Sequence, residues 1–346
     1  MLLILKMFVK EAFDFGKRTI KSRRPQGGLS YICRHSAGGP RCFFELYKGQ
    51  TLAIVGESGC GKSVTARSIM RLIHEPGKIA GDSKIIFEGK DVNSFTQKEL
   101  FSYRGGDASI IFQDAMASLN PTMTIGKQIV ENILHHSKIG KNEAKEKAVN
   151  LLKKVGISSP EQRFKQYPHE LSGGMRQRVM IAIAFANNPK LMIADEPTTA
   201  LDVTIQSQIM ELIRKLKDDQ NASVILITHD LGVVAGIADR VLVMYGGVIV
   251  ESGTAREIFY NAKHPYTKAL HSAVPRADEK SGKELVSIAG APPDLINPPI
   301  GCPFSTRCKY CMNICKREQP PEFQFEDGHI AKCFLHVLDV LPKEME

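Results

Sequence analysis

Thr51-Leu-Ala-Ile-Val-Gly56-Glu-Ser-Gly-Cys-Gly61-Lys62-Ser63 is the stretch that decides the fold. Its first half is an apolar run closing on glycine, the pattern of a strand buried on both faces of a parallel sheet. Its second half, Gly56 to Ser63, fits G-x-x-x-x-G-K-S/T, and Lys62 to Ile73 then reads as a helix. A strand, a glycine loop and a helix in that order make a phosphate-binding loop. The glycines let backbone N–H groups curl around phosphates, and the helix N-terminus adds a favourable field. Gly56, Glu57, Ser58, Gly59, Cys60, Gly61, Lys62, Ser63 and Val64 are therefore candidate nucleotide-binding residues. Lys62 is placed to reach the β- and γ-phosphates of a nucleoside triphosphate, and Ser63 to ligate Mg2+.

Outward from this loop, Leu191-Met-Ile-Ala-Asp195 and Ser223-Val-Ile-Leu-Ile-Thr228 read as two more buried strands. Between them Ile205, Ile209, Leu212, Ile213 and Leu216 form a helical stripe. Val241 to Tyr245, Gly246-Gly247, and Val248 to Val250 predict a hairpin on a two-glycine turn. Strands alternating with helices indicate an α/β core around a mostly parallel sheet. From about 118 to 189 the chain shows no strand pattern and carries helical spacings such as Ala144, Ala148, Leu151, Leu152 and Val155. That segment reads as a helical subdomain inserted between two core strands. After about 262 the chain turns proline-rich, and 263–346 reads as a loop-rich, cysteine-rich C-terminal extension.

Asp195 closes an apolar strand, and a carboxylate there can hold Mg2+ directly or through water. Glu196 follows it. Alone, an Asp-Glu pair reads as solvated acids at a strand end. Two neighbours change that: Pro197-Thr-Thr-Ala-Leu-Asp202 downstream and Leu171-Ser-Gly-Gly-Met-Arg-Gln-Arg178 upstream. Ser172, Gly173 and Gly174 open a helix, where free N–H groups favour an anion.

The phosphate loop, Leu171–Arg178 and Asp195-Glu196, in this order, resemble the ATP-binding subunit of an ABC transporter. The resemblance implies an ABC-type P-loop ATPase using ATP and Mg2+. It implies that Glu196 is the general base on the attacking water. Gln113, in Ile110-Ile-Phe-Gln113-Asp114, would touch Mg2+ or the water, and His229, in Thr228-His229-Asp230, the γ-phosphate. With Lys62 these are the candidate catalytic residues; Ser63, Gln113 and Asp195 are the candidate Mg2+ ligands. Ser172, Gly173 and Gly174 would face the ATP held by an opposite subunit, with Asp202 near that seam. Two such domains would then sandwich the nucleotide.

Three further segments narrow the resemblance. Phe112-Gln-Asp-Ala-Met-Ala-Ser-Leu-Asn-Pro121-Thr, Tyr167 to Arg178 and His264-Pro-Tyr-Thr-Lys-Ala-Leu270 look like the oligopeptide/dipeptide importer branch, which includes nickel importers. The similarity runs from Phe44 to about His336, with Ala115 where the family usually has proline. It implies an importer with two transmembrane permease subunits, an extracytoplasmic peptide-binding protein and two ATPase subunits, often non-identical. This chain would lie peripherally at the cytoplasmic face of the membrane. The alternatives are an importer ATPase for nickel or another small solute, or an impaired subunit that mainly binds nucleotide. Cys302-x5-Cys308-x6-Cys315-x17-Cys333 matches the branch's four-cysteine pattern. Four thiolates can hold a 4Fe–4S cluster or a tetrahedral zinc, and the resemblance favours the cluster. Cys311 is an additional candidate ligand or a spare thiol.

The N-terminal segment, residues 1–43, departs from the family. It is basic, Gly/Pro-rich from Gly16 to Cys42, and shows no strand alternation. The aromatic residue that stacks on adenine in the family has no clear counterpart, and Tyr31 is not assigned that role. With suitable codons, Ser30 to Phe44 read one base later encodes His-Thr-Tyr-Ala-Gly and Val-Ser-Phe-Glu, which the family shows at these places. A poorly ordered segment translated from a shifted frame is the resulting expectation, and resequencing the gene tests it.

Composition agrees with this picture. The 346 residues, 43% hydrophobic, are ample for a buried core. The longest apolar run, Val179 to Ala186, is far short of the roughly 18 residues a bilayer needs. No signal peptide is read after Met1 to Leu5, which predicts a soluble, intracellular polypeptide. Of the net charge of +9, residues 1–43 carry +7. The charge therefore belongs to the N-terminal segment, and the domain offers no basic face for nucleic acid.

Overall fold

The computed structural model describes residues 28–34, 41–75, 77–79, 83–199, 201–273, 288–295, 297–325 and 328–338. The strands are β1 (Gly28–Arg34), β2 (Arg41–Tyr47), β3 (Thr51–Val55), β4 (Lys84–Phe87), β5 (Lys90–Asp91), β6 (Ala108–Ile111), β7 (Leu191–Asp195), β8 (Ser223–Thr228), β9 (Arg240–Tyr245), β10 (Val248–Thr254), β11 (Glu322–Gln324) and β12 (Ile330–Lys332). Eight of them form one sheet in the order β11-β12-β10-β9-β3-β8-β7-β6. From β9 to β6 every pairing is parallel, whereas β10, β12 and β11 join antiparallel at the far edge. The remaining strands form an antiparallel sheet, β2-β1-β4-β5. The fold is thus α/β with a largely parallel sheet.

Helices α1 (Lys62–Ile69), α2 (Gln97–Tyr103), α3 (Ala115–Ser118), α4 (Ile125–His136), α5 (Lys141–Lys154), α6 (Pro160–Arg163), α7 (Gly173–Phe185), α8 (Val203–Gln220), α9 (Leu231–Ala235), α10 (Ala255–Tyr260), α11 (Pro265–Ser272), α12 (Asn313–Arg317) and α13 (Leu335–Leu338) cover the sheet. Side chains alternate across a strand, so the central strands feed different cores from their two faces. Leu52 and Ile54 of β3 pack with Ile193, Ile225, Ile69 of α1, and Phe44, Leu46 and Phe87 of the antiparallel sheet. On another face Met192, Ala194, Val224 and Leu226 meet α4, α5, α7 and α8 through Ile129, Leu152, Ile181 and Ile213. Ala53 and Val55 join a third cluster that includes Val241, Val243, Tyr266, Phe304 and Phe334, which seats the C-terminal extension on the core.

The turn between β9 and β10 is Gly246-Gly247, with φ of 56° and 80°. Positive φ at both positions is what a tight hairpin needs and what glycine supplies. Between β6 and β7 the described chain holds α3 to α7 and no strand.

One expectation fails at the N-terminal side. A strand-free segment reaching Cys42 is contradicted by β1 and β2, which pair antiparallel from Gly28↔Tyr47 to Arg34↔Arg41, while β1 also pairs with β4. Alternation does exist in β2: Cys42, Phe44 and Leu46 are buried, whereas Phe43 and Tyr47 are exposed. Residue 43, the expected end of the atypical segment, lies inside β2, so the alternation runs across that boundary. Residues 1–27 and 35–40 lie outside the described residues, and so does the Tyr31 side chain. Among the described residues no helix is long and apolar enough to cross a membrane.

Candidate functional site

The phosphate loop leaves β3 at Gly56 and enters α1 at Lys62. Glycine is demanded at its start: a Cβ at Gly56 would collide with the carbonyl oxygen of Met244. Gly59 and Gly61 have φ of 79° and 106°, backbone that residues with a Cβ avoid. Lys62 is 4% exposed, and its ammonium donates to the carbonyls of Gly56 (2.7 Å) and Glu57 (2.9 Å). The lysine thus braces the loop from inside, with its head among the loop's own polar groups. Cys60 is buried, and burial pushes its thiol above the usual cysteine range despite the nearby Lys62.

Ser63 Oγ donates to Asp195 Oδ1 at 2.9 Å. This contact joins the start of α1 to the end of β7 and brings together two of the three side chains expected at Mg2+. Asp195 is 2% exposed. Burial pushes its carboxyl up, Ser63 pulls it partly back, and neighbouring Glu196 pushes it further up. A buried carboxylate beside a hydroxyl is a hard-oxygen donor set in need of positive charge, so these residues fit Mg2+.

Glu196 has φ of 48°, uncommon for a residue with a Cβ. Its N–H donates to Ile227 O at 2.9 Å, tying the turn to β8. Three side chains converge on its carboxylate. Gln113 Nε2 and Thr199 Oγ1 each donate to Oε2 at 2.9 Å, and His229 Nδ1 lies 3.3 Å from Oε1. Gln113 comes from the end of β6, Glu196 from β7 and His229 from β8, so parallel neighbours deliver all three to one end of the sheet. They line a cleft of about 600 Å³ with Ser58, Gly59, Gly61, Lys62, Ser63 and Val64. The predicted catalytic set therefore stands in one place. Thr199 was not singled out from sequence, although it lies inside the quoted Pro197–Asp202 segment.

Ser172, Gly173, Gly174 and Asp202 do not line this cleft. Ser172 caps α7, its Oγ accepting from Met175 N at 3.4 Å, and Asp202 caps α8, its Oδ1 accepting from Ile205 N at 2.9 Å. Ser172, Gly173 and Asp202 are exposed. The helix end that favours an anion is thus exposed and does not line the chain's own phosphate-loop cleft.

Comparison with known proteins agrees with this geometry. Residues 41–199 match the ABC transporter family model, and 250–315 match the C-terminal region of oligopeptide/dipeptide transporters. The chain is 56% identical over 292 residues to the oligopeptide transport ATP-binding protein OppD of Bacillus subtilis, covering 84% of this chain and 82% of that one. It is 53% identical to the dipeptide transport ATP-binding protein DppD of the same organism, covering 84% and 87%. The chain belongs to the ABC transporter ATP-binding protein family. Among solved structures, the dimeric bacterial ABC transporter cassette MJ0796 superposes with a TM-score of 0.55 at 25% identity, covering 67% of this chain and 97% of that one.

In this ABC protein the extension also reaches the nucleotide site. Tyr266, within the His264–Leu270 segment, accepts a hydrogen bond from Glu57 N at 2.9 Å, and Leu295 lines the cleft. Sequence reasoning gave neither residue a role at the site.

The four cysteines do not form a single-ion ligand set. Among the described residues, no three of His, Cys, Asp or Glu are gathered to hold a metal ion. The thiols nonetheless share one region. Cys302 interacts electrostatically with Cys315, Cys333 and Cys308, and Cys302 N donates to Cys315 O at 2.7 Å. Burial pushes the Cys302 thiol up to about 12 and the Cys333 thiol up to about 11.

Proposed function

We propose that the chain is the ATP-hydrolysing subunit that powers oligopeptide or dipeptide import by a binding-protein-dependent ABC transporter. The observation that carries the hydrolytic part is the Glu196 carboxylate, aimed into the phosphate-loop cleft and held by Gln113, Thr199 and His229. A carboxylate so held can take a proton from a water aligned on the γ-phosphate. Lys62 and the loop N–H groups hold the phosphates, and His229 lies beside them. Bound Mg2+, on Ser63 and Asp195 with Gln113 nearby, would neutralise charge on the phosphates.

The import assignment rests on relatives named for oligopeptide and dipeptide transport, and on the matching C-terminal region. The same names favour peptide over nickel. Two permeases, a second ATPase subunit and an extracytoplasmic peptide-binding protein complete the proposed assembly, with this chain at the cytoplasmic face. The exposed α7 N-terminus suits a seam with that second subunit. An impaired subunit is disfavoured because β1 and β2 are formed and the catalytic side chains are assembled. Proteoliposomes carrying the permeases, this chain and its partner ATPase test the reading. Peptide accumulation that needs ATP and the binding protein is expected; accumulation of nickel and no peptide would overturn it.

Within this reading Cys302, Cys308, Cys315 and Cys333 hold a 4Fe–4S cluster that staples the extension. Support comes from the resemblance, and the four cysteines all lie in that extension. The expected content is about four iron and four sulfide per chain; anaerobically purified protein free of both would overturn the assignment.

A further inference from the structure

Arg307 lies in the extension, one residue before Cys308, and reaches back 250 positions in sequence to the phosphate loop. Its Nη1 donates to Glu57 Oε2 at 2.6 Å and its Nη2 to Glu57 Oε1 at 3.0 Å. The remaining N–H groups are used as well. Nη1 also meets the Tyr245 hydroxyl (3.1 Å), Nη2 the Ile288 carbonyl (2.9 Å) and Nε the Ala289 carbonyl (2.9 Å). A guanidinium has five N–H donors, and here each is matched to an acceptor. The Arg307 side chain is 3% exposed and that of Glu57 23%, so the pair is shielded from water and salt.

Glu57 is the second residue of the phosphate loop and is gripped at three points. Arg307 holds its carboxylate, Tyr266 its N–H, and Lys62 its carbonyl. Two of these three grips come from the chain beyond β10. Pro303 and Pro293 also pack against the Gly246 turn, where an added Cβ would meet them at 2.9 and 3.2 Å. The pairing has an electrostatic consequence too. A bare carboxylate at Glu57 would repel the triphosphate that the loop must bind, and the guanidinium cancels that charge.

We propose that Arg307 is a positioning residue of the nucleotide site, clamping Glu57 so that the phosphate loop is set for ATP. The C-terminal extension is then a working part of the ATPase. The proposal rests on the ATPase reading above, and the two are tested separately by measuring both binding and turnover.

The experiment uses the assembled transporter and the variants Arg307→Lys, Arg307→Ala, Glu57→Gln and Glu57→Gln/Arg307→Ala. Binding of a fluorescent ATP analogue, KM and kcat for ATP, and the thermal midpoint are recorded for each. Arg307→Ala is expected to weaken ATP binding and raise KM about tenfold, with kcat changing less, and the double variant to be no worse than the single ones. Arg307→Lys keeps a charge in place but loses the two-pronged grip, so an intermediate KM at near wild-type thermal midpoint is expected. If Arg307→Ala fails to fold, Arg307→Lys decides. A lowered thermal midpoint with unchanged ATP affinity in every folded Arg307 variant would make Arg307 merely structural. Strictly additive losses in the double variant would equally overturn the clamp. A wild-type chain that binds ATP without hydrolysing it contradicts the ATPase reading, and the binding data still judge the clamp.

Discussion

Glu196 stands at the end of a buried strand in left-handed backbone, a conformation that costs of order 1 kcal/mol or more and persists because its surroundings hold it. The Ile227 carbonyl holds its N–H, and Gln113, Thr199 and His229 hold its carboxylate. Thr199→Val should lower kcat severalfold with little change in ATP affinity, because it removes a donor to Glu196 while leaving the phosphate loop intact; equal kcat in a steady-state assay would contradict this. Asp195→Asn removes the buried carboxylate that burial and Glu196 already push toward protonation. Its expected signature is a Mg2+ requirement raised about tenfold or more, read as the Mg2+ dependence of turnover at saturating ATP. These residues were legible in the sequence because their constraints are local. A glycine loop needs its helix next to it, and Asp195-Glu196 needs its strand. Arg307 was not legible, since its partner Glu57 lies 250 positions away and nothing near either residue announces the pairing.

Helix α11 begins where β10 and the extension meet. His264 is its N-cap, Nδ1 accepting from Tyr266 N at 3.0 Å, and it is 1% exposed. Beside it Glu251 on β10 accepts from Lys263 N, His264 N and His329 Nε2, the last at 2.7 Å. Burial pushes the His264 imidazole down to about 4; Glu251 pulls it partly up and His336 pushes it down. An unfolded histidine titrates near 6.5, so between 6.5 and about 4 the unfolded chain holds a proton that the folded chain refuses. Stability therefore falls on acidification through that window, by up to about 3 kcal/mol from this group. For Glu251, burial pushes the carboxyl up, but the hydrogen bonds from His329, Lys263 and His264 outweigh it and the net shift is downward. Its stabilising contribution is present above 4.5 and fades as pH drops through its lowered folded value. His264→Asn keeps a side-chain acceptor for the cap and removes the titration. The thermal midpoint of this variant should depend less on pH between 7 and 5 than that of the parent chain, and an unchanged slope would contradict the assignment. At this scale the buried strands were legible from their apolar runs, as was the β9–β10 hairpin from its glycines. Strand β1 was not, because its placement is seen in backbone pairing with β2 and β4 rather than in its own pattern.

The whole molecule holds its catalytic cleft at one end of the sheet, while Ser172 and Gly173 are exposed outside it. One chain therefore has a place for the γ-phosphate and an anion-favouring helix end that its own cleft does not use. In the proposed assembly these meet across two subunits, with an ATP held between them. Ser172→Ala should accordingly reduce turnover in the assembled transporter while leaving ATP affinity of the isolated chain within about twofold, since it removes only an α7 cap worth about 1 kcal/mol from that chain. A matched loss of ATP affinity in the isolated chain would place Ser172 in its own site and contradict this arrangement. The central claim is that Glu196 is the base of an import ATPase, and the most direct test is ATP turnover by the transporter assembled with peptide-loaded binding protein. The wild-type chain should hydrolyse ATP, and Glu196→Gln should lose at least about a hundredfold of that rate while still binding ATP; turnover by Glu196→Gln at the wild-type rate would contradict the account.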